Sequence, residues 1–199
     1  MKKLFIASKN KGKISEIKSS LDGMEIELFS ILNKPEILGI AETGKTFEEN
    51  AWIKAKTVHD IVNIPVLADD SGLEVEYLKG APGVYSSRYA GGNASDDDNC
   101  QKLLAELKDV DLSNRKARFR CVIIYYDGAS KNIFEGVCKG HIIDRKRGER
   151  GFGYDPLFVP DGYSETFGEL DDELKNKISH RGKALEKFRE YLLKLESSS

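Results

Sequence analysis

Leu4-Phe5-Ile6-Ala7 is a short apolar run that stops at Ser8-Lys9-Asn10-Lys11-Gly12-Lys13, after which Ile14, Ile17 and Leu21 recur at helical spacing. A run too short for a helix, a polar glycine-bearing turn and a 3.6-residue period read as strand, loop and helix. From its start, then, the chain is committed to packing a helix on a sheet.

The same alternation continues. Met24 to Phe29, residues 24–29, alternates weakly as a second strand. From Thr46 to about Asn63 the period is helical, with Phe47, Ala51, Ala55 and Val58 on one face. Thr46 followed by Glu49 forms a capping box at its start. Val66-Leu67-Ala68 reads as a buried strand whose carboxyl end is Asp69-Asp70-Ser71-Gly72. Ser95 and the acids Asp96-Asp97-Asp98 place negative charge at the positive end of a further helix. Residues 118–126 and 132–138 read as two strands with Asp127-Gly128 in the turn, and a last helix covers about 180–195 with Leu185, Phe188, Leu192 and Leu195 inward. The class is α/β, a mixed β-sheet flanked by helices.

Of the 199 residues, 40% are hydrophobic, enough for one large domain or two closely fused lobes. The 31 basic and 33 acidic residues nearly cancel, which argues against non-specific binding of nucleic acid. Cys100, Cys121 and Cys138 are scattered and odd in number, so neither a disulfide framework nor a cysteine zinc site is expected; they read as reduced and half-buried. No apolar run matches a signal-peptide core or a membrane span, and the expectation is a soluble cytoplasmic protein with no membrane partner. The final Ser197-Ser198-Ser199 reads as a frayed tail.

Four stretches carry candidate chemistry. Ser8, Lys9, Asn10, Lys11, Gly12 and Lys13 lie between strand and helix, where unpaired amides, the helix dipole and three lysines suit a phosphate chain; a solvated basic turn is the plain alternative. Asp69 and Asp70 are neighbours on a strand and so face opposite sides, which gives them different tasks. One can face a hard cation and phosphates while the other bonds inward; a strand-ending turn is the plain alternative. Gly151-Phe152-Gly153-Tyr154-Asp155-Pro156 is a plausible base-stacking loop, or a glycine turn whose aromatics enter the core. His180 and Arg181, after Lys175-Asn176-Lys177-Ile178-Ser179, put cations at a helix start against the dipole, and an anionic or carbonyl-bearing ligand would compensate. His59 and His141 read as structural.

Gly39-Ile40-Ala41-Glu42-Thr43-Gly44-Lys45-Thr46 matches the literal P-loop pattern. A P-loop follows a buried strand, yet Pro35 and Glu36 leave only Ile37-Leu38 before Gly39, and Glu42 would place a carboxylate among phosphates. We read the match as coincidence.

Taken in order, these segments resemble the inosine triphosphate pyrophosphatase family. Ser8-x-Asn10-x-Gly12-Lys13-x-x-Glu16 is similar to its opening motif, with Ser8 where threonine is usual. Thr46-Phe47-Glu48-Glu49-Asn50-Ala51, Ala68-Asp69-Asp70-Ser71-Gly72-Leu73, Gly80-Ala81-Pro82-Gly83-Val84-Tyr85-Ser86-Ser87-Arg88-Tyr89, the loop at residues 151–156 and Ile178-Ser179-His180-Arg181 also match. The resemblance implies two lobes with a central nucleotide cleft, a homodimer, and Mg²⁺-dependent hydrolysis of ITP, dITP and XTP to monophosphate and pyrophosphate. It implies Asp70 as the catalytic carboxylate and a Mg²⁺ ligand, and residues 8–13 with Ser71 on the phosphates. It further implies Phe152, Gly153, Tyr154, Asp155, Lys175, His180 and Arg181 on the base and sugar-phosphate. Lys54 is a weaker phosphate candidate. Members often carry an acidic pair before the Thr-Gly; here Ala41 takes the first place and Glu42 alone is left as a second metal carboxylate.

Overall fold

The computed structural model describes residues 2–34, 37 and 39–197. Pro35, Glu36 and Leu38, on which part of the P-loop argument falls, lie outside the described residues, as do Ser198 and Ser199.

Strand β1 is Lys2–Ile6, helix α1 Lys11–Ser20, β2 Ile26–Ser30, α2 Phe47–Val62 and β3 Val66–Val75. There follow α3 Asp96–Glu106, β4 Lys116–Tyr126, β5 Lys131–Ile142, β6 Phe158–Pro160, α4 Asp172–Ile178 and α5 His180–Ser197. The strands form one six-stranded sheet in the order β2-β1-β3-β4-β5-β6. β1 runs parallel to both β2 and β3, whereas β5 and β6 are antiparallel, so the sheet is mixed as the sequence pattern indicates. No described helix is long and apolar enough to cross a membrane.

The helix boundaries follow their local chemistry. Asn10, Thr46 and Ser95 cap α1, α2 and α3, each accepting from the backbone amide three residues on. For α3 the cap is a full capping box with Asp98. Helix α2 stops at Asn63, whose φ of 51° is the left-handed conformation that asparagine tolerates. Ser197 stands in the last turn of α5, its Oγ donating to the Leu193 carbonyl, so that residue is helical rather than frayed.

Packing divides the chain into two compact units, Met1–Asp70 with Cys121–Gly136 and Arg181–Ser199, and Ser71–Arg120 with Val137–His180. In the first, alternation along the strands sorts two cores. Leu4, Ile6, Leu67, Cys121 and Ile123 pack with Ile14 and Ile17 of α1 and Ala184, Leu185 and Phe188 of α5. Phe5, Val66, Ala68 and Ile124 pack instead with Ala51, Ala55 and Val58 of α2. Each large side chain buried here contributes about 1.5–3 kcal/mol. The second unit has its own core, in which Leu73, Val75, Leu103, Phe119, Phe158 and Phe167 meet. None of the three cysteines is in a disulfide, all are buried rather than half-buried, and burial pushes the Cys121 thiol up to about 12.

The end of β3 also differs from expectation. Asp69 and Asp70 do not end their strand, because β3 continues through Val75. Asp, Ser and Gly favour turns locally, but Leu73 and Val75 restore the alternation and bury fully, which outweighs that preference.

Candidate functional site

The first unit gathers three stretches far apart in sequence. Asp69 follows the odd-numbered face of β3 shared with Leu67, and Asp70 the even-numbered face shared with Ala68. The two aspartates therefore meet different helices, as strand geometry requires.

Asp69 meets α1 and α5. Its Oδ2 lies 3.0 Å from Lys13 Nζ and 3.3 Å from Arg181 Nε. Arg181 also donates through Nη1 to Glu16 of α1. Burial works to raise the Asp69 carboxyl, but the Lys13 ammonium and Arg181 guanidinium overcome it and hold the group well below the usual carboxylate range. Burial likewise opposes the charge on Arg181, and Glu16 and Asp69 outweigh it.

Asp70 meets α2. Asn50 and Lys54 stand one turn apart on the same helix face and both reach it. Asn50 Nδ2 donates to Asp70 Oδ2 at 3.1 Å, while Lys54 Nζ lies 3.3 Å from Oδ1 and 3.1 Å from Glu42 Oε1. Burial raises the Asp70 carboxyl above its ordinary value; Lys54 and Lys13 pull it down, and Glu42 and Asp69 add to the rise. Burial would lower the Lys54 ammonium, and the surrounding carboxylates reverse that and raise it.

Gly44 belongs to this cluster by packing. Its N–H donates to Asn50 Oδ1 at 2.8 Å, and a Cβ there would stand 2.6 Å from Glu49 Cβ and 2.7 Å from Asn50 Oδ1. Lys45 is exposed, its N–H donating to Glu49 Oε2 at 2.6 Å, and Thr46 caps α2. Among the described residues no strand lies between β2 and α2, so the P-loop match has no P-loop context.

The opening turn is a helix start. Asn10 caps α1, accepting from Lys13 N at 3.1 Å and donating from its own N–H to Ser8 Oγ at 3.2 Å. Lys9 and Lys11 are exposed, Gly12 lies in the first turn, and α1 has no acidic residue there. Such a helix terminus offers oriented amides to an anion.

In the second unit, the loop at residues 151–155 is held from several sides. Gly151 has φ 76°, and a Cβ on it would collide with the Asp155 carboxylate. Asp155 Oδ2 accepts from Phe152 N and from Lys175 Nζ, both at 2.8 Å. The Lys175 ammonium also lies 5.0 Å from the centre of the half-buried Phe152 ring, a cation–π contact. Gly153 N–H donates to Asp96 of α3 at 2.7 Å. Ser71, on β3, is half-buried.

Three of the candidate residues are buried. Tyr154 follows the plain alternative, its ring in the core and its hydroxyl donating to the Ser86 carbonyl. His180 is buried with its ring stacked 4.7 Å from Phe119. Arg181 is 2% exposed, and the charge that offsets its place at a helix start comes from the protein's own Asp69 and Glu16. Asn50 and Glu16 stand in two of the matched motifs without a role read from the sequence. A usable sign was there for Asn50: it shares its helix face with Ala51 and Ala55, where an unpartnered amide would cost about 1–3 kcal/mol.

Among the described residues no three His, Cys, Asp or Glu side chains group as a metal site. Asp70 and Glu42 do converge on one positive point, the Lys54 ammonium. Two hard carboxylates around one centre of positive charge are a donor set that fits Mg²⁺, which takes one or two carboxylates and completes its shell with water and phosphate oxygens.

A model of the Ham1 family matches residues 4–191. The chain is 47% identical over 194 residues to a dITP/XTP pyrophosphatase of Oceanobacillus iheyensis, covering 96% of this chain and 98% of the relative. It is 48% identical over 193 residues to a dITP/XTP pyrophosphatase of Geobacter sulfurreducens, covering 96% and 97%. Among solved structures, a HAM1 protein from Coxiella burnetii superposes with a TM-score of 0.89 at 43% identity, covering 98% of this chain and all (100%) of that one. The Staphylococcus aureus Ham1 protein gives 0.87 at 40% identity, with 100% of both chains covered.

Proposed function

Because the chain belongs to the Ham1 family, we propose that it is a nucleoside triphosphate pyrophosphatase that cleaves the deaminated purine nucleotides ITP, dITP and XTP to monophosphate and pyrophosphate. The observation that carries the reading is the meeting of buried Asp70 and Lys54 with half-buried Glu42, which pairs a carboxylate for the attacking water with charge for the phosphates.

The reaction is attack of water on the α-phosphorus with pyrophosphate leaving. Such transfers need positioning and charge neutralisation more than covalent help. In this reading Asp70 orients the water and takes its proton; burial, which makes its carboxyl more basic than usual, suits that task. Asp70 and Glu42 would hold Mg²⁺, which supplies charge neutralisation on the phosphate oxygens. Lys13 and Lys54 act as point charges on the same oxygens. Ser8, Lys9, Asn10, Lys11, Gly12 and Ser71 complete the phosphate-binding set, drawing on the amides and dipole at the start of α1.

Phe152 offers the stacking face for the base, and Gly153, Asp155, Lys175 and His180 are its polar neighbours in this reading. Selection of a 6-keto purine over adenine needs a donor aimed at the base. Adenine would present a donor to that donor, at about 1–3 kcal/mol for each group left unsatisfied. Clearance of aberrant nucleotides by a cytoplasmic homodimer, as the family resemblance implies, completes the proposal.

A panel of ITP, dITP, XTP, ATP and GTP with Mg²⁺ at alkaline pH tests it. We expect kcat/KM to favour the deaminated purines; equal turnover of ATP would end the substrate assignment.

A further inference from the structure

Asn50 is the fully buried polar residue at the centre of the Asp70 cluster, with 0% exposure. Both ends of its amide are used. The oxygen accepts from Gly44 N–H at 2.8 Å and the nitrogen donates to Asp70 Oδ2 at 3.1 Å. The reverse orientation would set an NH₂ against an N–H and an oxygen against a carboxylate, so the two partners fix how the amide lies. Gly44 has no room for a side chain beside Asn50, so the two backbones stay closely apposed. Glu42 lies two residues before Gly44 and shares the Lys54 ammonium with Asp70.

One side chain thus holds Asp70 directly and the segment that bears Glu42 through Gly44. Helix α2 delivers it there with Lys54 one turn away, so the helix carries both the charge that balances the carboxylates and the amide that spaces them. Asn50 leaves Asp70 Oδ1 to the Lys54 side, toward Glu42, by taking up Oδ2.

We infer that Asn50 is a positioning residue that sets the spacing of Asp70 and Glu42, and with it the affinity of this pair for a divalent cation. The inference rests on the pyrophosphatase reading and deepens it. Groups that orient metal-binding side chains commonly carry 10- to 100-fold in affinity or activity.

The test uses the full-length chain with Asn50→Leu, which keeps the volume and removes both hydrogen bonds, and Asn50→Asp, which keeps an acceptor for Gly44 and removes the donor to Asp70. Mn²⁺ binding without nucleotide, followed by electron paramagnetic resonance, gives the metal affinity; ITP kinetics give kcat and KM. For Asn50→Leu we expect Mn²⁺ affinity and kcat each to fall by about 10- to 100-fold, with KM for ITP within about threefold of wild type. Wild-type Mn²⁺ affinity in a folded Asn50→Leu variant would overturn the inference, as would a wild-type chain that binds no Mn²⁺. Should Asn50→Leu not fold, Asn50→Asp decides: Mn²⁺ affinity lowered by the same range supports the inference, and wild-type Mn²⁺ affinity overturns it. Failure of the pyrophosphatase reading itself would show separately, as wild-type protein that releases no pyrophosphate.

Discussion

Arg181 Nε lies 3.3 Å from Asp69 Oδ2, joining the last helix to strand β3 across a sequence separation of 112 residues. Lys13 reaches the same oxygen at 3.0 Å, so the opening helix is tied to that point too. Three elements of the first unit are pinned by one carboxylate that sits beside the residue assigned to the chemistry. The arrangement gives Asp69 and Asp70 different partners, and the proposed function assigns the former a structural task and the latter the chemistry.

Asp69→Asn should therefore act on stability. Removing one member of a buried charged cluster leaves the others uncompensated, and a loss of about 3–5 kcal/mol is expected in urea unfolding. The sign with pH follows from the depressed carboxyl. A group held below its unfolded value, ordinarily about 3.8, stabilises the fold above that value and loses the contribution as pH falls toward its folded value. Between about pH 5 and pH 3 the wild type should lose stability more steeply than Asp69→Asn; parallel curves would contradict the assignment.

Asp70→Asn should do the opposite. Burial raises this carboxyl, so its ionised form costs stability in the fold, and the neutral amide should leave the unfolding midpoint unchanged or higher. Turnover of ITP should fall by at least about 100-fold. Near-normal activity in the folded variant would remove Asp70 from the chemistry.

Lys45→Ala separates this account from a P-loop enzyme. Lys45 is exposed and its backbone serves the start of α2. We expect kcat/KM for ITP within about threefold of wild type, whereas a P-loop lysine on the phosphates would be indispensable.

Phe152→Ala should lower kcat/KM for ITP. An aromatic platform under a base is worth about 1–3 kcal/mol, so a loss of about 5- to 150-fold is expected. An unchanged value would show that the ring does not stack on the base.

Much of this was legible in the sequence where a local rule agreed with the tertiary outcome. Thr46 and Ser95 announce their helices because capping is a short-range bond, and the opposed faces of Asp69 and Asp70 follow from strand geometry alone. The continuation of β3 past Gly72 was not legible, since Asp-Asp-Ser-Gly is turn-like until Leu73 and Val75 find a core. Helix α4 was missed for a related reason: its seven residues are mostly charged, and its start depends on the Asp171 cap. The partner of Arg181 lay out of reach. Its cationic place at a helix start signalled a missing anion, but a sequence gives no means of telling a ligand's charge from that of Asp69 and Glu16.

The central claim is that the bond cleaved lies between the α- and β-phosphates. Incubating the chain with ITP and Mg²⁺ and separating the products tests it directly. Inosine monophosphate and pyrophosphate in equal amounts are the predicted result; inosine diphosphate with orthophosphate would contradict it.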